Sequence, residues 1–206
     1  MYLENLPANP RALFLFAHGA GAPMDSEFMD AFSAGLCAQD IGVVRFEFPY
    51  MRMRREDGRK RPPDRQPQLL DCWRQVINDH KGLVPLFIGG KSMGGRMATI
   101  IAGEQPPVNG VVCLGYPFHP PGKPDRLRTE HFSRIPVSTL ILQGARDPFG
   151  SLGEVAAYDL PETLAVEWLP GGNHDWVPLK RSGISAQDNM NRAIDLAATF
   201  MLRHAT

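Results

Sequence analysis

Short apolar runs alternate along the chain with longer segments whose apolar residues recur at helical spacing. Residues 13–17, 43–48, 86–89, 111–114, 139–142 and 165–168 read as six strands. Between them, 25–38 places Phe28, Met29, Phe32 and Leu36 on one helical face, and 67–80 does the same with Leu70, Trp73, Val76 and Ile77. Residues 96–102 read as a helix, 153–158 as a short one, and 186–203 as the last, with Ser185 and Asp188 as its capping box and Met190, Ala193, Ile194, Ala197 and Met201 as its buried stripe. Strand and helix in alternation predict an α/β chain: a three-layer α/β/α sandwich around a mostly parallel sheet of about six strands. Right-handed crossovers fix most of its topology. Two connections, 50–66 and 116–134, are long and irregular. Both follow strands, so both are expected over the carboxyl edge of the sheet.

At that edge the chain carries Gly90-Lys91-Ser92-Met93-Gly94, a G-x-S-x-G pattern between a predicted strand and a predicted helix. A serine on so tight a turn is forced into a strained backbone conformation with its hydroxyl exposed. The glycines are there because a side chain would collide where strand and helix nearly touch.

A serine hydroxyl is a weak nucleophile at neutral pH. It needs a base, and the base needs a group to fix its tautomer. Downstream of Ser92, the strand 139–142 runs into Asp147, and the strand 165–168 runs into His174. Nucleophile, acid and base thus fall on successive strand-end loops in the order this chemistry uses. Asp147 could instead cap the following helix. Asp175 is a rival acid, but neighbouring side chains diverge, which makes it a poor orienter of His174. Of the six histidines, only His18 and His174 directly follow strands, and only His174 lies after the acid.

Acyl transfer also needs donors for a developing oxyanion. The amide of Met93 is built into the turn. The loop His18-Gly19-Ala20-Gly21-Ala22 is expected to supply the second, from Ala20 or alternatively Gly21. It lacks both the G-x-G-x-x-G pattern and the lysine of a phosphate cradle.

These segments together (HGAGA, GGKSMGG, QGARDPFG and GGNHDW) resemble the α/β-hydrolase superfamily over nearly the whole chain. Within it the chain is most similar to small dienelactone-hydrolase-like proteins, and it looks like a minimal, lidless member with the family's first two strands absent. Residues 48–51 and 116–124 further resemble a branch of predicted hydrolases that includes the hydrolase-like domain of a chromatin acetyltransferase complex subunit. The resemblance implies ester or thioester hydrolysis. Serine stands where dienelactone hydrolases proper carry cysteine, which separates this chain from their lactone substrate. The other readings of the same fold are a non-catalytic binding or scaffold protein, and an acyl transferase to a nucleophile other than water.

Composition narrows the setting. The 206 residues suit one domain spanning 1–206, and cations and anions balance at 22 each. That balance gives no reason to expect nucleic acid or membrane as a partner. The expected partner is a small-molecule acyl substrate, bound by a monomer or small homo-oligomer. Cys37, Cys72 and Cys113 are widely spaced and odd in number, which suits free thiols and a cytoplasmic setting. No cofactor and no metal are implied. Arg52, Arg54, Arg55, Arg59, Lys60, Arg61 and Arg65 outnumber Glu56, Asp57 and Asp64, so the 50–66 connection either attracts an anionic substrate or is a solvated loop with internal ion pairs, the second being preferred. Tyr50, Phe118, Phe149 and Trp176 are expected to wall an apolar substrate pocket, and Lys91 to point away from it.

Overall fold

The computed structural model describes residues 1–82 and 84–205. Seven strands form one sheet in the order β1-β3-β2-β4-β5-β6-β7. They are β1 (Tyr2–Asn5), β2 (Ala12–Ala17), β3 (Ile41–Phe46), β4 (Leu86–Lys91), β5 (Gly110–Leu114), β6 (Thr139–Gly144) and β7 (Leu164–Leu169). All neighbours pair in parallel except β1 with β3. The helices are α1 (Glu27–Cys37), α2 (Pro49–Asp57), α3 (Gln66–His80), α4 (Met93–Ala102), α5 (Leu152–Val155) and α6 (Ala186–Arg203).

The inner strands β2 to β6 are buried on both faces, as their near-continuous apolar runs require. One core layer joins α3 and α4 to the sheet through Leu70, Trp73, Val76, Met97 and Ile101. The other joins α1 and α6 through Met29, Phe32, Leu36, Ala193, Ile194, Ala197 and Met201. Ser185 opens α6 as expected, its hydroxyl accepting from the Asp188 amide at 3.0 Å while the Asp188 carboxylate accepts from the Ser185 amide at 2.8 Å. Among the described residues, no helix is long and apolar enough to cross a membrane. Cys37, Cys72 and Cys113 are free.

Two elements depart from the sequence reading. The strand β1 is a short antiparallel edge, so the amino-terminal side of the sheet is fuller than expected. Its four residues are half-buried or exposed and carry no apolar run. Backbone pairing with β3 holds it, and pairing leaves no hydropathy signal. The connection after β3 opens with the helix α2. That helix buries only Tyr50 and Met51, too little for an apolar stripe. Its signs are local: Pro49 in the first turn, and Gly58 just past the end with φ 71°. The connection after β5 is irregular, with one 3₁₀ turn at Phe132–Arg134 and no inserted lid.

Candidate active site

Ser92 stands between the last residue of β4 and the first of α4, at φ 51° and ψ −113°. A serine adopts such values only when its surroundings impose them. The surroundings are backbone. A Cβ on Gly90 would meet the Ala17 carbonyl oxygen at 2.6 Å, and one on Gly94 would meet the His18 carbonyl oxygen at 2.6 Å. Strand β2 and helix α4 are in contact at the turn, and only glycine fits between them.

The parallel strands all deliver their carboxyl ends to one edge. Three strand spacings separate β7 from β4, roughly 14 Å. His174 crosses that span because its loop doubles back over the sheet edge. A Cβ on Gly144, at the end of β6, would stand 2.1 Å from the Asn173 carbonyl oxygen. The loop therefore lies directly on β6, and beyond it the His174 backbone reaches Gly115 at the end of β5.

Asp147 follows β6 and is fully buried. Its Oδ2 accepts from His174 Nδ1 at 2.7 Å and from Gln143 Nε2 at 3.0 Å, and its Oδ1 accepts from the Phe149 amide at 2.9 Å. Three donors satisfy a carboxylate that would otherwise be costly to bury. A carboxylate only accepts, so Nδ1 of His174 carries the proton and Nε2 is left as an acceptor. Phe149 packs against the imidazole with ring centroids 4.4 Å apart and planes tilted by 40°. The helix-capping role that Asp147 could have played belongs to Ser151, whose hydroxyl and amide both donate to Glu154.

Gln143 was not anticipated. Its buried amide accepts from the Tyr116 backbone N–H at 2.7 Å and donates toward the Tyr116 and Gly150 carbonyls as well as Asp147. Its signal was available: a polar residue at the end of an otherwise apolar strand, four positions before the acid.

Ser92 and His174 share the wall of a cavity of about 380 Å³, with Gly19, Ala20, Gly21, Ala22, Ser26, Phe28, Met29, Lys91, Phe149 and Asp175. Among the described residues no hydrogen bond joins the Ser92 hydroxyl to the imidazole, whose Nδ1 is bonded to Asp147. A larger groove of about 640 Å³ runs between β7 and α6, but neither serine nor cysteine lines it.

The loop after β2 is held from behind. His18 Nδ1 donates to the Gly19 carbonyl at 2.6 Å, the Tyr50 hydroxyl donates to the Ala20 carbonyl at 3.0 Å, and Arg54 donates to the Gly21 carbonyl at 3.3 Å. His18 Nε2 in turn accepts from the Phe48 amide at 3.1 Å, and burial pushes this histidine below its ordinary pKa, so the ring is neutral. The peptide bonds here are trans, and in a trans peptide the N–H points opposite to the C=O. With the Gly19 and Ala20 carbonyls held on one side, the Ala20 and Gly21 amides face the other. At the start of α4 the Met93 amide has no partner within the helix.

Three expected pocket walls are elsewhere. Tyr50, Phe118 and Trp176 are buried at 1% exposure or less, and none lines the cavity. Tyr50 is turned toward the loop carbonyls, Phe118 packs on Tyr116, Phe132 and Tyr158, and Trp176 packs on Phe28 and Phe32. Phe149 is the expected aromatic that does line it, joined by Phe28 and Met29 from α1.

The charged residues also sort differently. Lys91 lies in the cavity wall and donates from Nζ to the His174 carbonyl at 2.7 Å. Asp175 pairs with Lys91 at 3.1 Å, which leaves Asp147 as the acid on His174. Asp25 forms a two-pronged pair with Arg55, which also bonds Glu47. Arg61 pairs with Asp57, and no residue from Arg52 to Arg65 lines the cavity. Within the segment Arg61 is paired internally, while Arg55 pairs with residues outside it. Among the described residues, no group of three or more His, Cys, Asp or Glu is placed to hold a metal ion.

A parallel sheet with helices on both faces and a strained serine between strand and helix defines an α/β-hydrolase architecture. The match to the alpha/beta hydrolase domain family spans residues 10–202, and the chain belongs to that family. Among solved structures it is similar to a dienelactone hydrolase from Anabaena variabilis, with a TM-score of 0.75 at 20% identity over 98% of this chain and 90% of that one. It is also similar to Est1E from Butyrivibrio proteoclasticus in its ferulic acid complex, with a TM-score of 0.73 at 14% identity over 99% and 94%. A third is XC6422 from Xanthomonas campestris, an α/β serine hydrolase without a lid, with a TM-score of 0.69 at 18% identity over 98% and 87%.

Proposed function

We propose that the protein is a serine hydrolase that cleaves an ester or thioester by acyl transfer to water. The single observation that carries this reading is the 2.7 Å bond from His174 Nδ1 to buried Asp147, with His174 and Ser92 on one cavity wall. In this reading Ser92 Oγ attacks the acyl carbonyl and His174 Nε2 takes its proton. Asp147 keeps the imidazole in the tautomer that can do so and stabilises the cation that forms. The amides of Met93 and Ala20 receive the oxyanion, with Gly21 as the adjacent donor. The imidazolium then protonates the departing alcohol or thiol, and water repeats the sequence on the acyl-enzyme.

The cavity wall is largely apolar, from Ala20, Ala22, Phe28, Met29 and Phe149, and its size suits a short acyl group. The similar proteins named above include an esterase bound to ferulic acid and a dienelactone hydrolase, which fits ester chemistry as a class. The test is a panel of p-nitrophenyl esters and acyl thioesters of increasing chain length. Turnover of the short members by wild type and its loss in Ser92→Ala is the expected result. A folded wild type that turns over none of them contradicts it and favours a binding role for the fold.

A further inference from the structure

We propose that Lys91 is a positioning residue that fixes the base relative to the nucleophile, acting through the backbone of His174. This rests on the serine-hydrolase reading and adds a component to it.

Lys91 immediately precedes Ser92, and its side chain runs along the site. Its Cγ lies where a Cβ on Gly19 would meet it at 3.5 Å, an ordinary contact. At the other end, Nζ donates to the His174 carbonyl at 2.7 Å and pairs with Asp175 Oδ1 at 3.1 Å. The same ammonium lies 5.4 Å from the centroid of the Phe28 ring. A Cβ on Gly115 would stand 3.2 Å from Nζ and 3.3 Å from His174 Cε1, so the end of β5 is kept bare where the amine and the imidazole come together. One side chain thus starts next to the nucleophile, passes beside the loop after β2 and bonds the histidine loop.

His174 is then held twice. Asp147 fixes its ring through Nδ1, and Lys91 fixes its main chain through the carbonyl. Neither bond alone sets the distance from Nε2 to Ser92. The ring bond leaves the loop free to shift, and the loop bond leaves the ring free to turn.

Stability is a weak reason for the residue. A buried ammonium is costly, and burial lowers the pKa of Lys91 against the opposing pull of Asp175. Methionine would fill the same apolar wall at less cost. An expensive buried charge between nucleophile and base is the kind of group retained for positioning.

The experiment compares wild type, Lys91→Met, Lys91→Arg and Asp175→Asn. Two readings are taken: the rate of fluorophosphonate labelling, and the downfield proton NMR signal of the His174 Nδ1–H, assigned by its loss in His174→Ala. The Met variant is expected to stay folded, label at least tenfold more slowly, and lose or broaden the Nδ1–H signal through faster exchange. The Arg variant, which retains donor and charge, restores part of both. Asp175→Asn shows a smaller loss, because the carbonyl bond survives. An unchanged Nδ1–H signal in folded Lys91→Met overturns the proposal whether or not the protein is an active hydrolase. Equal labelling rates in wild type and Lys91→Met overturn it as well. A wild type that is not labelled at all counts against the hydrolase reading, and the NMR comparison then decides the positioning role by itself.

Discussion

The Gln143 amide donates to the Asp147 carboxylate at 3.0 Å, and both side chains are fully buried. The candidate acid is therefore oriented by a residue of its own strand, four positions earlier. Gln143→Leu removes that donor and also leaves the Tyr116 N–H without its acceptor. Buried unsatisfied groups predict a loss of about 2–4 kcal/mol in stability by urea unfolding. Slower fluorophosphonate labelling is expected in the fraction that folds. A change under about 0.5 kcal/mol contradicts the role given to this network.

Tyr50 was expected in the pocket wall and instead bonds the Ala20 carbonyl. Its hydroxyl is predicted to matter in the transition state and not in substrate binding. Tyr50→Phe should lower kcat roughly tenfold to hundredfold with KM little changed. An increase in KM at constant kcat would place Tyr50 back in substrate contact.

Gly94 sits where β2 meets α4. An alanine Cβ would approach the His18 and Ala17 carbonyl oxygens at 2.6 and 2.7 Å, and backbone atoms cannot swing aside. Gly94→Ala is expected to cost roughly 3–5 kcal/mol or to abolish soluble expression. Gly21→Ala, where a Cβ meets nothing within 4 Å, is the control and should fold normally.

Two buried histidines set an acid limit on stability. His18 is held below its ordinary pKa by burial, and His131 is pushed down to about 4, also chiefly by burial. The unfolded chain binds these protons near pH 6.5, before the folded chain does. Stability from both is present above about pH 6.5 and is lost as pH falls toward the folded values, near 4 for His131. Melting temperature should fall between pH 7 and 4, and His131→Gln should flatten the slope. A parallel slope in the variant would show that His131 is not held neutral.

Much of this was legible because it depends on local pattern. Strands β2 to β6 announce themselves as apolar runs buried on both faces, β7 as a mostly apolar run on the half-buried edge, and α6 carries its own capping box and stripe. Ser92, Asp147 and His174 are candidates in the sequence because each follows a strand, and parallel strands end at one edge. What was missed depends on pairing across the fold. Strand β1 is a strand by its pairing with β3, and α2 is held by Arg55 and Tyr50 bonds to distant residues. The aromatic residues near the site were assigned to its wall from loop position alone, yet a ring of that size finds more contact inside, as Phe118 and Trp176 do. The sequence shows only that Lys91 precedes the nucleophile, and from that it is expected to point away from the pocket. Its long stem lets the amine return to the histidine loop.

The most direct test of the triad is intact-protein mass spectrometry after fluorophosphonate treatment, with peptide mapping of the adduct. Wild type should gain one phosphonyl group on Ser92, His174→Ala should gain little, and Asp147→Asn should label about 10³- to 10⁴-fold more slowly. An adduct on another residue, or equal labelling in folded wild type and His174→Ala, would contradict the assignment of Ser92, His174 and Asp147.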